Sequence, residues 1–372
     1  MQAKNYLNRI ILVLIIVTLH IPFANSNDSF DKTILTSEFV GWGVSPTNTQ
    51  SSINLLNAWK QSNMKKDVVV AVIDTGIDPI HPFLRNNIYV ENGIASTINF
   101  GVDFSKNHKE KLMPTDNHGH GTHVSGIIKS VFPKVKIMAL KYYNPSASGK
   151  DNLKSTVEAL RYAVDHNVDI INYSGGGSDP DVEELKILKE AEKKGIVVVA
   201  AAGNEESNID IKSNAYFPAS YGLSNIVTVS AYGPNLRILS SANYGEKSVD
   251  VLAPGQRIKS SMPHGRSGFL TGTSQATAFV SGVAALIKAN FPDMSAHQIK
   301  GAIVQSSKTE VTLEGKTRSN GRVDAAKAIE LANSMMPKLE VKQPAPRKIA
   351  TKNVAPIHLP TNSNGKIIYR FK

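Results

Sequence analysis

The chain has 372 residues, 41% of them hydrophobic, enough to bury one large core or two modest ones, and this excludes a wholly disordered protein. Its formal charge of +11 sits at the ends: residues 1–26 carry +2 and residues 337–372 carry +7, so the body is nearly balanced and presents no basic face for nucleic acid. With no cysteine, the chain has neither a disulfide framework nor a lipid-modified thiol.

In chain order, Lys4 and Arg9 precede the apolar run Ile10 to Leu19, and Ala24-Asn25-Ser26 follows with small residues at a cleavage position. That pattern reads as an export signal over residues 1–26, because the apolar run is shorter than the ~20 residues a spanning helix needs. Residues 27–336 form the expected catalytic body. Apolar, β-branched runs at Val68 to Ile73, Val135 to Leu140, Val168 to Ile171, Ile196 to Ala201 and Ile226 to Val229 predict strands covered on both faces, hence a parallel sheet. Helical patterns are expected around Ile53 to Gln61, then at Asn152 to Asp165, Asp181 to Lys194 and Thr273 to Asn290. The alternation predicts an α/β fold, a three-layer sandwich with a mainly parallel central sheet flanked by helices. Functional groups in such sheets collect where strands end, and Asp74, Ser174 and Asn204 each follow such a run. Beyond residue 336 the chain turns rich in proline and lysine, a basic tail over residues 337–372 suited to an envelope surface or another protein, with Lys366 to Lys372 able to add an edge strand.

Three Gly-flanked segments carry chemistry: Val72-Ile73-Asp74-Thr75-Gly76, His118-Gly119-His120-Gly121-Thr122-His123 and Gly272-Thr273-Ser274-Gln275-Ala276. A serine hydroxyl attacks an amide only with a base to take its proton and a third group to fix that base, roles open to Ser274, His120 and Asp74. Taken singly each segment has another reading. Asp-Thr-Gly also marks aspartic proteases, but no second such motif exists here; the histidines could hold a metal, but no His-Glu-x-x-His is present; Gly-Thr-Ser could be a helix cap. The joint occurrence is what carries weight.

Over about residues 40–336 the chain resembles the subtilisin-like serine proteases, the subtilases. The resemblance rests on Ala71 to Asp78, His120 to Gly126, Ala201-Ala202-Gly203-Asn204-Glu205 and Gly272-Thr273-Ser274, with Ala253-Pro254-Gly255 and Gly321 to Ala325 as further matches. It implies a secreted, monomeric endopeptidase of polypeptides acting through an acyl-enzyme, with Asp74, His120 and Ser274 catalytic and Asn204 an oxyanion donor beside the Ser274 N–H. The alternative is a catalytically idle homologue that holds peptides. The resemblance also implies an extended substrate between the stretch around Gly149 and Ser174-Gly175-Gly176. Glu205 would stand at the rim of the primary pocket favouring basic or neutral side chains, Tyr216 would shorten that pocket, and Phe217-Pro218 would match the family's cis-proline bend.

Departures matter too. Gln275, Ala278 and Phe279 replace the family's usual Met, Pro and His, and none of the three is expected to take part in the reaction. Gln275 is expected beside the oxyanion hole, where it leaves no oxidisable sulfur; Met113, Met138, Met262 and Met294 lie away from the triad in sequence. Phe83 replaces a calcium-binding Asp, and the segment from Val124 to Val135 is too short for the family's calcium loop, so no cofactor is expected to be required, no metal ligand is assigned, and calcium is left only a weak site. Only 47 residues separate Ser26 from Asp74, too few for a separate N-terminal folding domain.

Overall fold

Alternating apolar residues build the centre of the molecule. In the first long strand Val70 and Val72 belong to the core on one side of a sheet while Ala71 and Ile73 belong to the core on the other. The same split divides Val197 and Val199 from Val198 and Ala200, so both faces are covered by helices and the strands read as continuous apolar runs. The computed structural model describes residues 30–90, 100–105, 113–337 and 364. The export signal and nearly all of the basic tail, including its last seven residues, lie outside the described residues.

The elements in order are α1 (Leu55–Lys60), β1 (Val69–Asp74), β2 (Gly101–Asp103), α2 (His120–Val131), β3 (Lys136–Lys141), α3 (Gly149–Asp165) and β4 (Ile170–Tyr173). Then come α4 (Val182–Lys193), β5 (Val197–Ala201), β6 (Ile226–Tyr232), β7 (Val251–Pro254), β8 (Ile258–Met262), β9 (Arg266–Leu270) and α5 (Thr273–Asn290). The body closes with α6 (Ala296–Gln305), β10 (Lys308–Thr309), β11 (Gly321–Arg322) and α7 (Ala325–Met335). Nine strands form one sheet in the order β10-β11-β7-β6-β5-β4-β1-β3-β2, parallel throughout except for the β10–β11 pair. Helices α2 and α5 share one core with α6 and α7, and α3 and α4 pack on the opposite face. This is the expected three-layer α/β sandwich. β8 and β9 form a separate antiparallel hairpin that the sequence reading did not foresee.

Strand order reverses between β1 and β4: the chain leaves β1 toward β3 on one side and later returns to β4 on the other. Loops diverge at such a point and open a crevice at the carboxyl ends of the strands. Asp74 ends β1 and Ser174 follows β4, so both stand at its rim.

The chain ahead of α1 is part of this body. Phe30, 6% exposed, stacks on Trp59 with ring centroids 4.9 Å apart and meets Phe132 edge-on at 6.1 Å. Phe39 packs on His81 and Phe83. Truncating a buried phenylalanine typically costs about 3–5 kcal/mol. Phe30→Ala is therefore expected to lower unfolding free energy by about 3 kcal/mol in a urea titration, and a change below about 0.5 kcal/mol would mean the stack contributes nothing to the mature fold.

Candidate active site

Asp74, only 2% exposed, turns its Oδ1 toward two donors at 2.7 Å, the backbone N–H of Thr75 and Nδ1 of His120. Its Oδ2 has no partner among the described residues. Closeness of the two elements explains the glycines in their motifs. A Cβ on Gly121 would lie 2.1 Å from the Gly76 carbonyl oxygen, and Gly76 itself sits at φ +109 with Pro114 closing on it. Only hydrogen fits at either place, so the first turn of α2 can rest against the end of β1.

A residue overlooked in the sequence ties this corner together. Asp116, 3% exposed, accepts through Oδ1 from the N–H groups of His118 and Gly119 and the Thr75 hydroxyl, and through Oδ2 from the N–H and hydroxyl of Thr122. The Thr75 hydroxyl in turn accepts from the Gly121 N–H. One carboxylate thus caps α2, whose own N-cap residue Gly119 has no side chain to offer, and fixes the loop that carries His120. An aspartate four residues ahead of a helix that starts without a cap was the available signal.

His120 has opposing influences. Burial alone would pull its pKa down, but the charge and hydrogen bond of Asp74, aided by the charge of Asp116, lift it above the ordinary histidine value. His123 faces away: fully buried, it meets the Ile258 carbonyl through Nε2 at 2.9 Å, and burial pushes its pKa down to about 4. No group of three or more metal-binding side chains exists among the described residues.

Ser274 is the second residue of α5, at an end where free N–H groups and the helix dipole favour negative charge. Its hydroxyl donates to the Ser174 carbonyl at 2.8 Å, and the Nε2 of Gln275 lies 3.5 Å from the Nε2 of His120. Gln275 was expected beside the oxyanion hole and outside the chemistry. It is buried against the histidine, and its Oε1 and the Oδ1 of Asn204 would each lie 3.3 Å from a Cβ on Gly272. Asn204 is exposed, with its Oδ1 held by the N–H and hydroxyl of Thr273 at 3.0 and 3.3 Å; its amide donors are engaged by no described residue. Met262, distant in sequence, is brought close by the fold: its Cε would be 2.7 Å from a Cβ on Gly119, one residue from His120.

Of the expected substrate residues, Gly149 and Gly176 line one cavity. Gly149 opens α3 with free space around it, and Ser174-Gly175-Gly176 follows β4. Gly177 and Phe217 exchange two backbone hydrogen bonds, and Phe217-Pro218 is cis as expected. The Tyr216 ring fills the space beside Gly176 and Gly203, reaching within 2.4 Å of a Cβ on Gly176 and 3.0 Å of one on Gly203. Burial and then the charge of Glu205 raise the Tyr216 pKa. Glu205 is exposed, and one of its oxygens accepts from the Asn243 amide, so its carboxylate is partly engaged.

The sequence pattern of the subtilase family, peptidase S8, matches residues 65–327. The chain belongs to the subtilase family. This subtilase is 36% identical over 240 residues to the major intracellular serine protease of Bacillus subtilis strain 168, across 62% of this chain and 71% of the relative. It is 32% identical over 301 residues to the thermophilic serine proteinase of Bacillus sp. strain AK1, across 78% of this chain and 68% of that one. Subtilisin DY of Bacillus licheniformis is 32% identical over 254 residues, across 66% and 84%. The fold is similar to that of a protease from Pseudoalteromonas arctica PAMC 21717, with a TM-score of 0.63 at 24% identity over 80% of this chain and 100% of that one. As a family member the protein is a serine endopeptidase acting on polypeptides.

The family's calcium position does not fit a cation in this subtilase. Phe83 supplies a ring and a carbonyl there, and the Lys129 ammonium already donates to that carbonyl and lies 4.6 Å over the ring. Burial lowers the Lys129 pKa to about 8. A second cation would meet an ammonium in place of the oxygen cluster a hard metal needs.

Because Asp116 helps hold the His120 pKa up, Asp116→Asn should move the acidic limb of the kcat/KM profile to lower pH. A slower enzyme with an unmoved limb would reduce Asp116 to a purely structural cap.

Proposed function

We propose that this subtilase is an exported endopeptidase that cleaves polypeptides through an acyl-enzyme. Ser274 is the nucleophile, His120 the base, Asp74 the group that fixes the histidine, and the Asn204 amide with the Ser274 N–H the oxyanion donors. The observation that carries this reading is the 2.7 Å bond from His120 Nδ1 to Asp74, which leaves the other ring nitrogen facing the first turn of α5 where Ser274 stands.

In the free enzyme the Ser274 proton rests on the Ser174 carbonyl. A peptide lying along Ser174-Gly175-Gly176 brings main-chain N–H groups that compete for that carbonyl. Released, the hydroxyl turns toward His120, which takes its proton as Oγ bonds to the scissile carbon. His120 then passes that proton to the departing amine. Water attacks the ester by the same route in reverse, and the negative oxygen of each tetrahedral intermediate meets the free donors of Asn204.

Tyr216 beside Gly176 and Gly203 leaves the primary pocket shallow, which favours small residues at the scissile bond. Export is supported by the N-terminal pattern. Relatives do not decide the compartment, since the Bacillus subtilis protease is named intracellular. Mass spectrometry of the mature protein tests it: a start near Asn27 supports cleavage after Ser26, and an intact Met1 overturns it.

Subtilisin sets the scale for two substitutions. Loss of its serine costs about 10⁶ in kcat and loss of its oxyanion asparagine about 10² to 10³. Ser274→Ala should therefore abolish both peptide hydrolysis and fluorophosphonate labelling, while Asn204→Ala is the milder lesion. Absence of labelling in the wild type would favour an idle peptide-binding homologue. With Lys129 at the calcium position, the thermal midpoint should move by no more than a degree or two in chelator, since a ligand stabilises only as RT ln(1 + [L]/Kd). A drop of ten degrees would reveal a tightly held metal.

A further inference from the structure

Gln275 stands third in α5, directly after Ser274, and is 1% exposed. A carboxamide so enclosed is costly unless its polar atoms find partners. The atom it meets belongs to the base, because Gln275 Nε2 lies 3.5 Å from His120 Nε2. The tautomer decides what that contact is. Asp74 accepts from Nδ1 at 2.7 Å, so Nδ1 carries the proton of the neutral ring and Nε2 offers its lone pair. A lone pair calls for a donor, which sets the Gln275 NH2 group against the ring and leaves its Oε1 on the side of Gly272, 3.3 Å from where a Cβ there would stand.

Ser274 needs that same lone pair for its reaction. Its hydroxyl has one hydrogen, and in the free enzyme this is given to the Ser174 carbonyl at 2.8 Å. Two neighbouring residues of one helical turn thus keep the reacting groups apart: the proton of the nucleophile rests on Ser174, and the lone pair of the base rests on Gln275. At 3.5 Å the second contact is at the long end for a hydrogen bond, enough to bias an equilibrium and weak enough for a better donor to displace.

We infer that Gln275 is a positioning residue that occupies the lone pair of His120 in the unliganded enzyme, so that the triad closes only when a bound peptide releases Ser274 to displace it. The inference rests on the endopeptidase reading and deepens it by making the readiness of the site depend on its substrate. Reactivity toward a small reagent is reduced by the fraction of enzyme whose base is free. A long peptide, by contrast, competes for the Ser174 carbonyl and so helps to assemble the triad. The contact also favours the neutral ring, since the N–H of an imidazolium cannot face an amide N–H. The other titratable groups around the ring are Asp74, Asp116, His123 and His118, whose ring centroid is 6.3 Å away, and a substitution at residue 275 replaces none of them.

The test compares the full-length wild type with Gln275→Met, which keeps the length of the side chain and removes the donor. Two rates are read. One is labelling by a small fluorophosphonate, in which Ser274 Oγ bonds to phosphorus, fluoride leaves and His120 takes the proton; the other is kcat/KM for peptides of increasing length. Gln275→Met should be labelled roughly three- to tenfold faster, the worth of one neutral hydrogen bond, and its gain should shrink as the peptides lengthen. The acidic limb of its kcat/KM profile should move up by about half a pH unit, opposite in direction to that of Asp116→Asn. With a wild type that is labelled and cleaves peptides, a limb that stays or moves down, a labelling rate that does not rise, or a gain of equal size at every peptide length overturns this inference alone. Should Gln275→Met fail to fold, Gln275→Leu decides by the same readouts. A wild type that neither cleaves peptides nor takes the label ends the endopeptidase reading, and this inference with it.

Discussion

Everything at the active site is referred to one buried helix. α5 is enclosed over nearly its whole length, touching β4, β5, β6 and β7 beneath it and α2 beside it. Such burial demands small residues: a Cβ on Gly282 would sit 2.5 Å from the Val131 side chain of α2. With the helix axis set by the core, its first turn can end in only one place. Polar ties hold the helix to the sheet: at mid-length the Ser281 hydroxyl donates to the Asn172 amide oxygen, Asn172 donates to Ser174, and at the first turn the Ser274 hydroxyl donates to the Ser174 carbonyl. Ser274 is therefore positioned by packing at one end of a rigid rod, and the loops around it need only bring partners to it.

His120 is held by a different device. His120 rides on a loop and a first helical turn whose backbone donors converge on Asp116, while a ring nitrogen is held by Asp74 at a strand end. Two carboxylates thus govern one imidazole, Asp74 directly and Asp116 through the backbone. Gly76 and Gly121 make this arrangement feasible because a side chain at either would force β1 and α2 apart.

Much of this was legible in the sequence. The five β-branched runs became β1, β3, β4, β5 and β6 with shifts of one to three residues at their ends, because strands buried on both faces must be apolar at every position. His120 meets Asp74, and Asn204 meets Thr273 one residue before Ser274. What escaped depends on long-range contact. β8 and β9 contain serine, lysine and arginine, since one face of that hairpin is open, and they lack the pattern of a buried strand. β2 has three residues, too few for any period. Asp116 has nothing unusual around it until the fold brings Thr75 and Thr122 to its oxygens. Gln275 looked inert because its neighbour in space is a histidine far away in sequence.

A protease in solution is surrounded by copies of itself, and any stretch that can peel away and extend is a meal for its neighbour. The aromatic stack of Phe30 on Trp59 and Phe132 bears on this hazard. To enter a cleft as an extended strand, the segment from Phe30 to Phe39 must first leave its pockets, opening both the ring stack and the packing of Phe39 on His81 and Phe83. Cleavage there is governed by the free energy of that local opening, not by the affinity of the cleft for the sequence. The stack thus acts as a guard against self-digestion, placed at the end of the body where other chains most often begin to fray.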